Sequence, residues 1–241
     1  VDALFADPRL APLYDAVEGD RPDLDVYVAI IEEFSALSVL DIGCGTGTLA
    51  CVLAQRGIEL TALDRVPASL AVAAPKPGAD RVSWITGDVS ALPPLTVDMV
   101  TMTGNVAQVF LTEESWMSAL AAARACLKPG GLLVFEARDP AKEAWRAWTR
   151  HATQRAVQVV GIGRVLHWVQ VTEVAPPLVS FRQTFVLHAD DLTLNPIDAS
   201  VSDQAELASS LNASGFAVED IRDAPDRPGL EMVFVGRRGI T

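Results

Sequence analysis

A glycine-rich turn is the part of this sequence best suited to hold a small ligand. Residues 39–48 read Val-Leu-Asp-Ile-Gly-Cys-Gly-Thr-Gly-Thr, an apolar run that ends in three alternating glycines. Such a run is typical of a buried parallel strand that turns directly into a helix. Glycines let the backbone of the turn approach a ligand closely, and the helix N-terminus adds N–H donors. A tight turn that binds no ligand can have the same glycines. The residues around the turn must therefore show whether it is a ligand site.

Two aspartates beside this turn favour a ligand site. Asp41 directly precedes the glycines, where a carboxylate repels a pyrophosphate but accepts a hydrogen bond from an ammonium group, directly or through water. Asp64 ends the next predicted strand, about twenty residues on, where a carboxylate can bind both hydroxyls of a ribose. The glycine spacing is GxGxG, and Thr48 stands where a pyrophosphate-binding GxGxxG loop has its last glycine. Each acid taken alone can equally be a loop cap or a solvated strand end.

The motif resembles motif I of the class I S-adenosylmethionine-dependent methyltransferases. Asp64 matches the ribose-binding acid of that family, and Gly87-Asp88-Val89 matches its adenine-binding acid. The order and spacing hold from about Ser38 to Glu136, including the Leu-Lys-Pro-Gly-Gly lead-in to the fifth strand. The resemblance implies S-adenosyl-L-methionine as the methyl donor and S-adenosyl-L-homocysteine as the product.

The resemblance also implies a role for each matching residue. The methionine part of the donor would lie along the glycine loop, and backbone from Thr103 or Gly104 would contact its end. Asp64 would bind the ribose with Arg65 beside it, while Asp88 would accept from the adenine amine. The implied donor-binding residues are Asp41, Gly43, Cys44, Gly45, Gly47, Asp64, Arg65, Asp88, Val89, Thr103 and Gly104.

The order of elements predicts the sheet that carries these residues. Short apolar runs alternate with helical segments, which specifies a parallel sheet covered by helices. Thr112 is the expected N-cap of one helix, and Asp203 with Glu206 has capping-box spacing at another. Together with the resemblance, this predicts an α/β fold with a Rossmann-like, mostly parallel seven-stranded sheet, helices on both faces and the last strand antiparallel. The ligand crevice should lie at the carboxyl ends of the strands. The predicted strands are Ser38–Ile42, Ile58–Leu63, Val82–Thr86, Val97–Met102, Leu132–Glu136, Phe216–Ile221 and Met232–Val235.

An insertion interrupts this alternation after Pro140. Ala141–Arg155 has the composition of a basic helix, and Arg164–Val174 and Leu178–His188 alternate like the two strands of an antiparallel ribbon. We therefore expect one methyltransferase domain over 1–241, with an N-terminal helical cap at 1–37 and an inserted helix and β-ribbon substrate lid at 141–200. A ribbon of this kind can also form a dimer contact, so the chain is expected to be a monomer or a homodimer.

The insertion should carry substrate choice. In the predicted helix, Lys142, Arg146 and Arg150 fall on one face, while Trp145 points elsewhere. The face is either solvated over a tryptophan-anchored cap or, with Arg138, attracts an anionic small molecule. The candidate substrate-binding residues are Arg138, Trp145 and Arg146.

Methyl transfer is an in-line displacement that needs a general base only when the acceptor must lose a proton. His167 on the ribbon is a candidate base, with an ordinary packed histidine as the alternative. Asn105 can orient an acceptor or hold its own turn by a side-chain hydrogen bond. Tyr14 is similar to the helix tyrosine that closes over the donor in many small-molecule members of the family, with a core tyrosine as the alternative. The candidate catalytic residues are therefore His167, Asn105 and Tyr14, and Glu136 at the end of the fifth strand is a further possible base.

Composition limits the partners. The 241 residues carry 31 acidic and 19 basic side chains, a formal charge of −12 that argues against a nucleic-acid partner. No apolar run approaches the roughly 20 residues of a membrane span, so no membrane partner is expected. The three cysteines have neither disulfide nor zinc-site spacing, which predicts a reduced, cytoplasmic protein without a metal. The N-terminus has no signal-peptide features. Because the chain begins with Val1, we expect the given sequence to begin downstream of the natural start.

The predicted function is transfer of a methyl group from S-adenosylmethionine to an oxygen, nitrogen or carbon atom of a small molecule. One alternative is a protein that binds S-adenosylmethionine without catalysis, since its binding motifs would be identical. A second is an NAD(P)-dependent oxidoreductase, which the glycine spacing and the additional acids disfavour.

Overall fold

Two β-sheets and their flanking helices make up the computed structural model, which describes residues 11–19, 21–187, 191–193 and 197–240. The strands are β1 (Ser38–Ile42), β2 (Glu59–Asp64), β3 (Val82–Thr86), β4 (Val97–Met102), β5 (Leu127–Arg138), β6 (Arg155–Val159), β7 (Gly163–Ala175), β8 (Leu178–Val186), β9 (Asp191–Thr193), β10 (Ile197–Ser200), β11 (Phe216–Asp223) and β12 (Glu231–Arg238). The α-helices are α1 (Ala11–Glu18), α2 (Leu24–Glu33), α3 (Thr48–Gln55), α4 (Pro67–Ala73), α5 (Glu113–Cys126), α6 (Arg150–Thr153) and α7 (Gln204–Ala213).

The larger sheet has the order β11-β12-β5-β4-β1-β2-β3. β1 pairs in parallel with β2 and β4, and β12 runs antiparallel to both of its neighbours, β5 and β11. The predicted seven-stranded, mostly parallel sheet with an antiparallel last strand is therefore confirmed. The chain crosses from β1 outward in both directions, which opens a crevice at the carboxyl ends of β1 and β4.

Alternate residues of the strands enter two hydrophobic cores, one on each face of this sheet. On one face α2 and α3 cover residues such as Val39 and Val134, while on the other α5 and α7 cover Leu40 and Phe135. All five residues of β1 are buried. A strand covered on both faces reads as a continuous apolar run, which is why its sequence predicts it well.

The smaller sheet is antiparallel, with the order β10-β8-β7-β6 and with β9 paired to β8. Its two central strands correspond to the predicted ribbon, but the described residues of the insertion form five strands instead of two. The predicted end of the ribbon, His188, lies outside the described residues. Strand β10 leads the chain back towards the larger sheet, and this return brings the insertion next to the crevice.

The single basic helix predicted at 141–155 is wrong. The chain forms 3₁₀ turns at Pro140–Lys142 and Ala144–Ala147, then the single turn of α6, and then enters β6. Glu143 between the two 3₁₀ turns has a φ of 46°, outside the helical region. Arg155 pairs with His167 of β7, so sheet formation determines the conformation there. The predicted basic face of Lys142, Arg146 and Arg150 therefore does not exist.

Among the described residues, no helix is both long and apolar enough to cross a membrane.

Candidate cofactor-binding site

A cavity of about 480 Å³ lies at the carboxyl ends of β1, β2, β3 and β4. It is the crevice that the sheet topology predicts. Nine of the eleven predicted donor-binding residues line it, and Asp41 and Gly47 do not. The nine are Gly43, Cys44, Gly45, Asp64, Arg65, Asp88, Val89, Thr103 and Gly104.

The glycine loop is fixed by the end of β2. The N–H groups of Gly43 and Cys44 both donate to the carbonyl of Leu63, at 2.8 and 3.1 Å. Gly45 has a φ of 55°, and a β-carbon built on it would meet no atom within 4 Å, so its space opens into the cavity. Gly47 has a φ of 71°, and a β-carbon there would overlap the Trp84 ring and lie 2.9 Å from the Ala73 side chain. Gly47 is thus required for packing behind the loop.

Asp64 connects two loops at the cavity wall. Its Oδ2 accepts from the Gly45 N–H at 2.8 Å, and its Oδ1 accepts from the Val66 N–H at 2.8 Å. Burial raises the pKa of this carboxyl above its ordinary value, while the two backbone N–H groups oppose that rise. A carboxylate has about four lone-pair sites, so Asp64 can still accept from two ligand hydroxyls.

Asp88 lies exposed at the far end of the same cavity. Its Oδ1 accepts from the N–H and the hydroxyl of Ser90, at 2.9 and 2.5 Å, and these bonds lower the pKa of the carboxyl. The carboxylate thus caps the 3₁₀ turn that begins at Val89. Capping and ligand binding are compatible here, since Oδ2 has no role in the cap.

Asp41 lies behind the loop and does not reach the cavity wall. The side chain is 1 % exposed, and its Oδ1 accepts from the Thr101 hydroxyl at 2.8 Å. Burial raises the pKa of Asp41 to about 7. A second buried carboxyl, Glu136 at the end of β5, also has a pKa raised to about 7, first by burial and then by the neighbouring Glu231.

These two acids should make the ligand-free protein less stable as the pH rises. Their ordinary pKa values are 3.8 and 4.5, so between about pH 4 and 7 the folded chain keeps protons that the unfolded chain has released. The free energy of unfolding then falls with rising pH, by an amount on the order of a few kcal/mol between pH 5 and pH 8. Urea unfolding at several pH values measures this change in the free energy of unfolding. Asp41→Asn should flatten part of this slope, and an unchanged slope would contradict the role of Asp41.

The N-terminal helix α1 closes one side of the cavity. Asp15 accepts from the Thr46 hydroxyl at 2.5 Å and pairs with the Lys76 ammonium at 2.6 Å. These contacts tie α1 to the glycine loop, and they place Tyr14 on the cavity wall together with Arg21. Burial, followed by the charge of Glu18, raises the pKa of Tyr14 to about 12.

The other two predicted catalytic residues do not line the cavity. His167 is buried on β7, where its Nε2 lies 2.9 Å from Gln183 Oε1 and its ring packs on Phe185. Burial lowers its pKa. Asn105 is buried next to Glu136, and its backbone N–H donates to Glu136 Oε1 at 2.8 Å.

The three predicted substrate-binding residues also lie away from the cavity. Arg138 donates to Gln108 Oε1 at 2.6 Å and stacks on the Trp148 ring at 4.9 Å. Trp145 is buried in a small apolar cluster of the insertion, and Arg146 pairs with Glu143 on the surface. Trp145 and Arg146 both border a separate surface depression. Neither Arg138 nor Arg146 lines the cavity. The two guanidinium groups that were expected to attract an anionic acceptor are therefore not found there.

Arg138 and Arg146 should accordingly differ in their effect on stability. Arg138→Ala removes a half-buried cation 3.5 Å from the buried carboxylate of Glu231, and we expect a loss of about 2–4 kcal/mol in the free energy of unfolding. Arg146 has a side chain 76 % exposed, so Arg146→Ala should change it by less than about 0.5 kcal/mol. Denaturant unfolding of both variants measures the difference. A loss of stability in Arg138→Ala as small as that in Arg146→Ala would show that the ion pair of Arg138 with Glu231 does not stabilise the fold.

Several cavity residues escaped the sequence analysis. Arg21 lies just before α2 and Leu24 begins it, while residues 109–111 come from the loop after β4 and Ile197 and Asp198 from β10. The loop residues follow directly on a strand end, which is a usable signal. Nothing in the local sequence of Asp198 marks it as a cavity residue, because its position depends on how β10 folds back.

This sheet order, with a glycine turn after β1 and acids after β2 and β3, defines the class I methyltransferase architecture. Residues 39–131 match the family model described as a methyltransferase domain. This match covers the part of the chain that carries the glycine loop, Asp64 and Asp88, and it confirms the resemblance drawn from the sequence for residues 39–131.

Three proteins illustrate what the chain is similar to. The chain is 33 % identical over 151 residues to a malonyl-[acyl-carrier protein] O-methyltransferase of Pectobacterium atrosepticum, covering 61 % of this chain and 58 % of that protein. The chain thus spans little more than half the length of this curated relative. Among solved structures, the sugar N-methyltransferase KedS8 of Streptoalloteichus has a TM-score of 0.76 at 19 % identity, over 99 % of this chain and 95 % of its own. CalS10 of Micromonospora echinaspora, an amino pentose methyltransferase solved with bound S-adenosylmethionine, has a TM-score of 0.71 at 21 % identity, over 93 % and 96 %.

Proposed function

We propose that this protein transfers the methyl group of S-adenosyl-L-methionine to an oxygen, nitrogen or carbon atom of a small-molecule acceptor. The observation that carries the proposal is the single cavity wall on which the glycine loop, Asp64 and Asp88 lie together. A bound donor would supply a methyl group already activated by a sulfonium, so the chain must mainly align the reactants and exclude water.

The residues of the wall fit the chemistry of the donor. The open space at Gly45 leaves room for an extended ligand chain, and Asp64 keeps lone pairs for the ribose hydroxyls. Asp88 is exposed, and its Oδ2 takes no part in the cap, so this oxygen would accept a hydrogen bond from the adenine amine. Arg65 lines the cavity beside the proposed position of the ribose. The donor would carry positive charges on its sulfonium and its ammonium group. The buried carboxyl of Asp41, behind the glycine loop, would place an acid near these charges.

Tyr14 is placed to close the cavity over the reacting groups. With a pKa of about 12 its hydroxyl keeps its proton at neutral pH. Tyr14 is therefore a weak general base. We assign the exclusion of water to Tyr14 and to the neighbouring Arg21, which line the same side.

The acceptor is proposed to bind on the opposite wall. This wall consists of Val109, Phe110 and Leu111 from the loop after β4, with Ile197 and Asp198 from β10. An apolar wall with one carboxylate suits a small organic molecule that carries a hydrogen-bond donor. The two β10 residues support 141–200 as a substrate lid, and Tyr14 supports 1–37 as a cap.

Two measurements test this function. Calorimetry should show binding of S-adenosylmethionine and S-adenosylhomocysteine and none of NAD; the opposite pattern would favour an oxidoreductase and overturn the proposal. Isotope-labelled methyl transfer to bacterial metabolite extracts should then yield a labelled small molecule. Binding without transfer in any extract would favour a non-catalytic S-adenosylmethionine-binding protein.

We further propose a cytoplasmic location, which is supported by three cysteines that are unpaired in the structure. The charge of −12 supports a small-molecule acceptor over a nucleic acid. Size-exclusion chromatography with light scattering would distinguish a monomer from a homodimer.

A further inference from the structure

A buried polar cluster lies at the end of β5, beside the cavity but not on its wall. We call it the Glu136 cluster; its members are Tyr27, Asn105, Glu136, Arg138, Arg227 and Glu231. Glu136 is 2 % exposed and Glu231 is 4 % exposed. Two carboxyls this deeply buried are costly unless partners satisfy them, so the cluster needs a reason to exist.

Glu136 is the centre of this cluster. Its Oε1 accepts from the backbone N–H of Asn105 at 2.8 Å, and its Oε2 accepts from the hydroxyl of Tyr27. Asn105 has a φ of 62°, a left-handed conformation that residues with a side chain adopt rarely. The Asn105 side chain adds longer contacts of 3.3 Å to Glu136 and to Glu231. Asparagine tolerates this conformation better than most residues, and the bond from its N–H to the carboxyl of Glu136 stabilises it here.

The turn held in this way forms part of the cavity. Thr103 and Gly104 before Asn105, and Val106 after it, all line the cavity. Val106 packs so closely on the glycine loop that a β-carbon at Gly43 would lie 2.6 Å from its Cγ2. The conformation of Asn105 therefore decides where three residues of the wall lie.

The same cluster reaches the opposite wall. Arg138, 3.5 Å from Glu231, donates to Gln108 Oε1 at 2.6 Å, and Gln108 Nε2 donates to the carbonyl of Ser200 at 3.0 Å. Ser200 ends β10, the strand that contributes Ile197 and Asp198 to the cavity. A continuous chain of polar contacts thus joins the donor side to the insertion.

We propose that Glu136 is a positioning residue for donor binding: it fixes the turn of Thr103 to Val106 against the glycine loop and, through Arg138 and Gln108, aligns that turn with β10. This inference rests on the proposed function, because the cavity must bind the donor for the position of the turn to matter. It gives Glu136 a role different from that of a general base, since its carboxylate faces Asn105 and Tyr27.

Four variants test the proposal by calorimetry with S-adenosylhomocysteine, which needs no knowledge of the acceptor. Glu136→Ala removes the acceptor for the Asn105 N–H, and we expect the Kd to rise about tenfold or more. Glu136→Gln keeps a side-chain oxygen for that N–H, so its Kd should stay within about threefold of the unchanged protein. Rescue by glutamine separates hydrogen-bond geometry from charge.

Two variants of Asn105 test the same hydrogen bond from its donor side. Asn105→Gly keeps the N–H and tolerates the left-handed conformation, so the Kd should again stay within about threefold, whereas Asn105→Ala should weaken binding about tenfold. Thermal unfolding of every variant, recorded in parallel, reports stability separately from affinity.

The outcomes distinguish the two claims. Unchanged Kd values in Glu136→Ala and Asn105→Ala, with lower unfolding temperatures, would make the cluster merely structural and overturn this inference while leaving the proposed function intact. Absence of binding by the unchanged protein would overturn the proposed function itself. Loss of binding in all four variants alike would also contradict positioning, because the glutamine and glycine variants preserve the hydrogen bond.

Discussion

Asp64→Ala is expected to weaken binding of S-adenosylhomocysteine at least about 100-fold, because hydrogen bonds to a charged group contribute roughly 1.5–3 kcal/mol each. The carboxylate would lose its proposed bonds to the ribose hydroxyls. It would also release the N–H of Gly45, which it now holds at 2.8 Å, and with it the shape of the glycine loop. Calorimetry on the purified variant measures the Kd.

Two controls identify the cause of such a loss. Asp64→Asn keeps an oxygen for one backbone N–H but loses the charge, so its Kd should lie between those of the alanine variant and the unchanged protein. Asp80→Ala removes an exposed acid that does not line the cavity and should leave the Kd unchanged. Equal binding by Asp64→Ala and the unchanged protein would refute the ribose role of Asp64.

Alanine at two glycines of the same loop should have opposite consequences. Gly47→Ala places a methyl group against the Trp84 ring and 2.9 Å from Ala73, at a φ of 71°. We expect this overlap, together with the left-handed conformation, to cost about 2–4 kcal/mol of the free energy of unfolding. Gly45→Ala meets no neighbouring atom within 4 Å, so its loss should be about 1 kcal/mol.

Affinity should respond in the reverse order. The added methyl group of Gly45→Ala lies on the cavity wall, in the room that the donor would occupy, and we expect its Kd for S-adenosylhomocysteine to rise about tenfold or more. Folded Gly47→Ala should bind nearly normally, because the glycine does not line the cavity. Urea unfolding gives the stabilities and calorimetry the affinities. A stability loss of the same size in both variants would contradict this division of roles.

Features determined by neighbouring residues could be predicted from the sequence. Thr112 caps α5, and Asp203 with Glu206 forms the predicted capping box of α7. Both rely on bonds between groups three residues apart, so the sequence contains the whole interaction. The buried strands are similar: β1 is mostly apolar because both of its faces are covered.

The segment 141–155 shows where local patterns fail. Its composition favours a helix, but Arg155 and the residues after it pair with β7, a strand that comes later in the chain. Pairing with a neighbouring strand outweighs a weak helical preference, since propensities amount to less than about 1 kcal/mol per residue. The basic face inferred from helical spacing therefore had no helix to carry it.

The sequence by itself determined the class of the fold, the glycine loop and the acids in β1, at the end of β2 and after β3, because these features repeat a local pattern of strand, turn and helix. The tertiary structure alone decided which predicted residues reach the cavity. Arg138 ends β5 at the correct edge of the sheet, yet its contacts with Glu231 and Gln108 keep it off the cavity wall. Asp198, unmarked in the sequence, lines the cavity because β10 returns to it. Both outcomes depend on contacts between residues far apart in the chain, which no local pattern encodes.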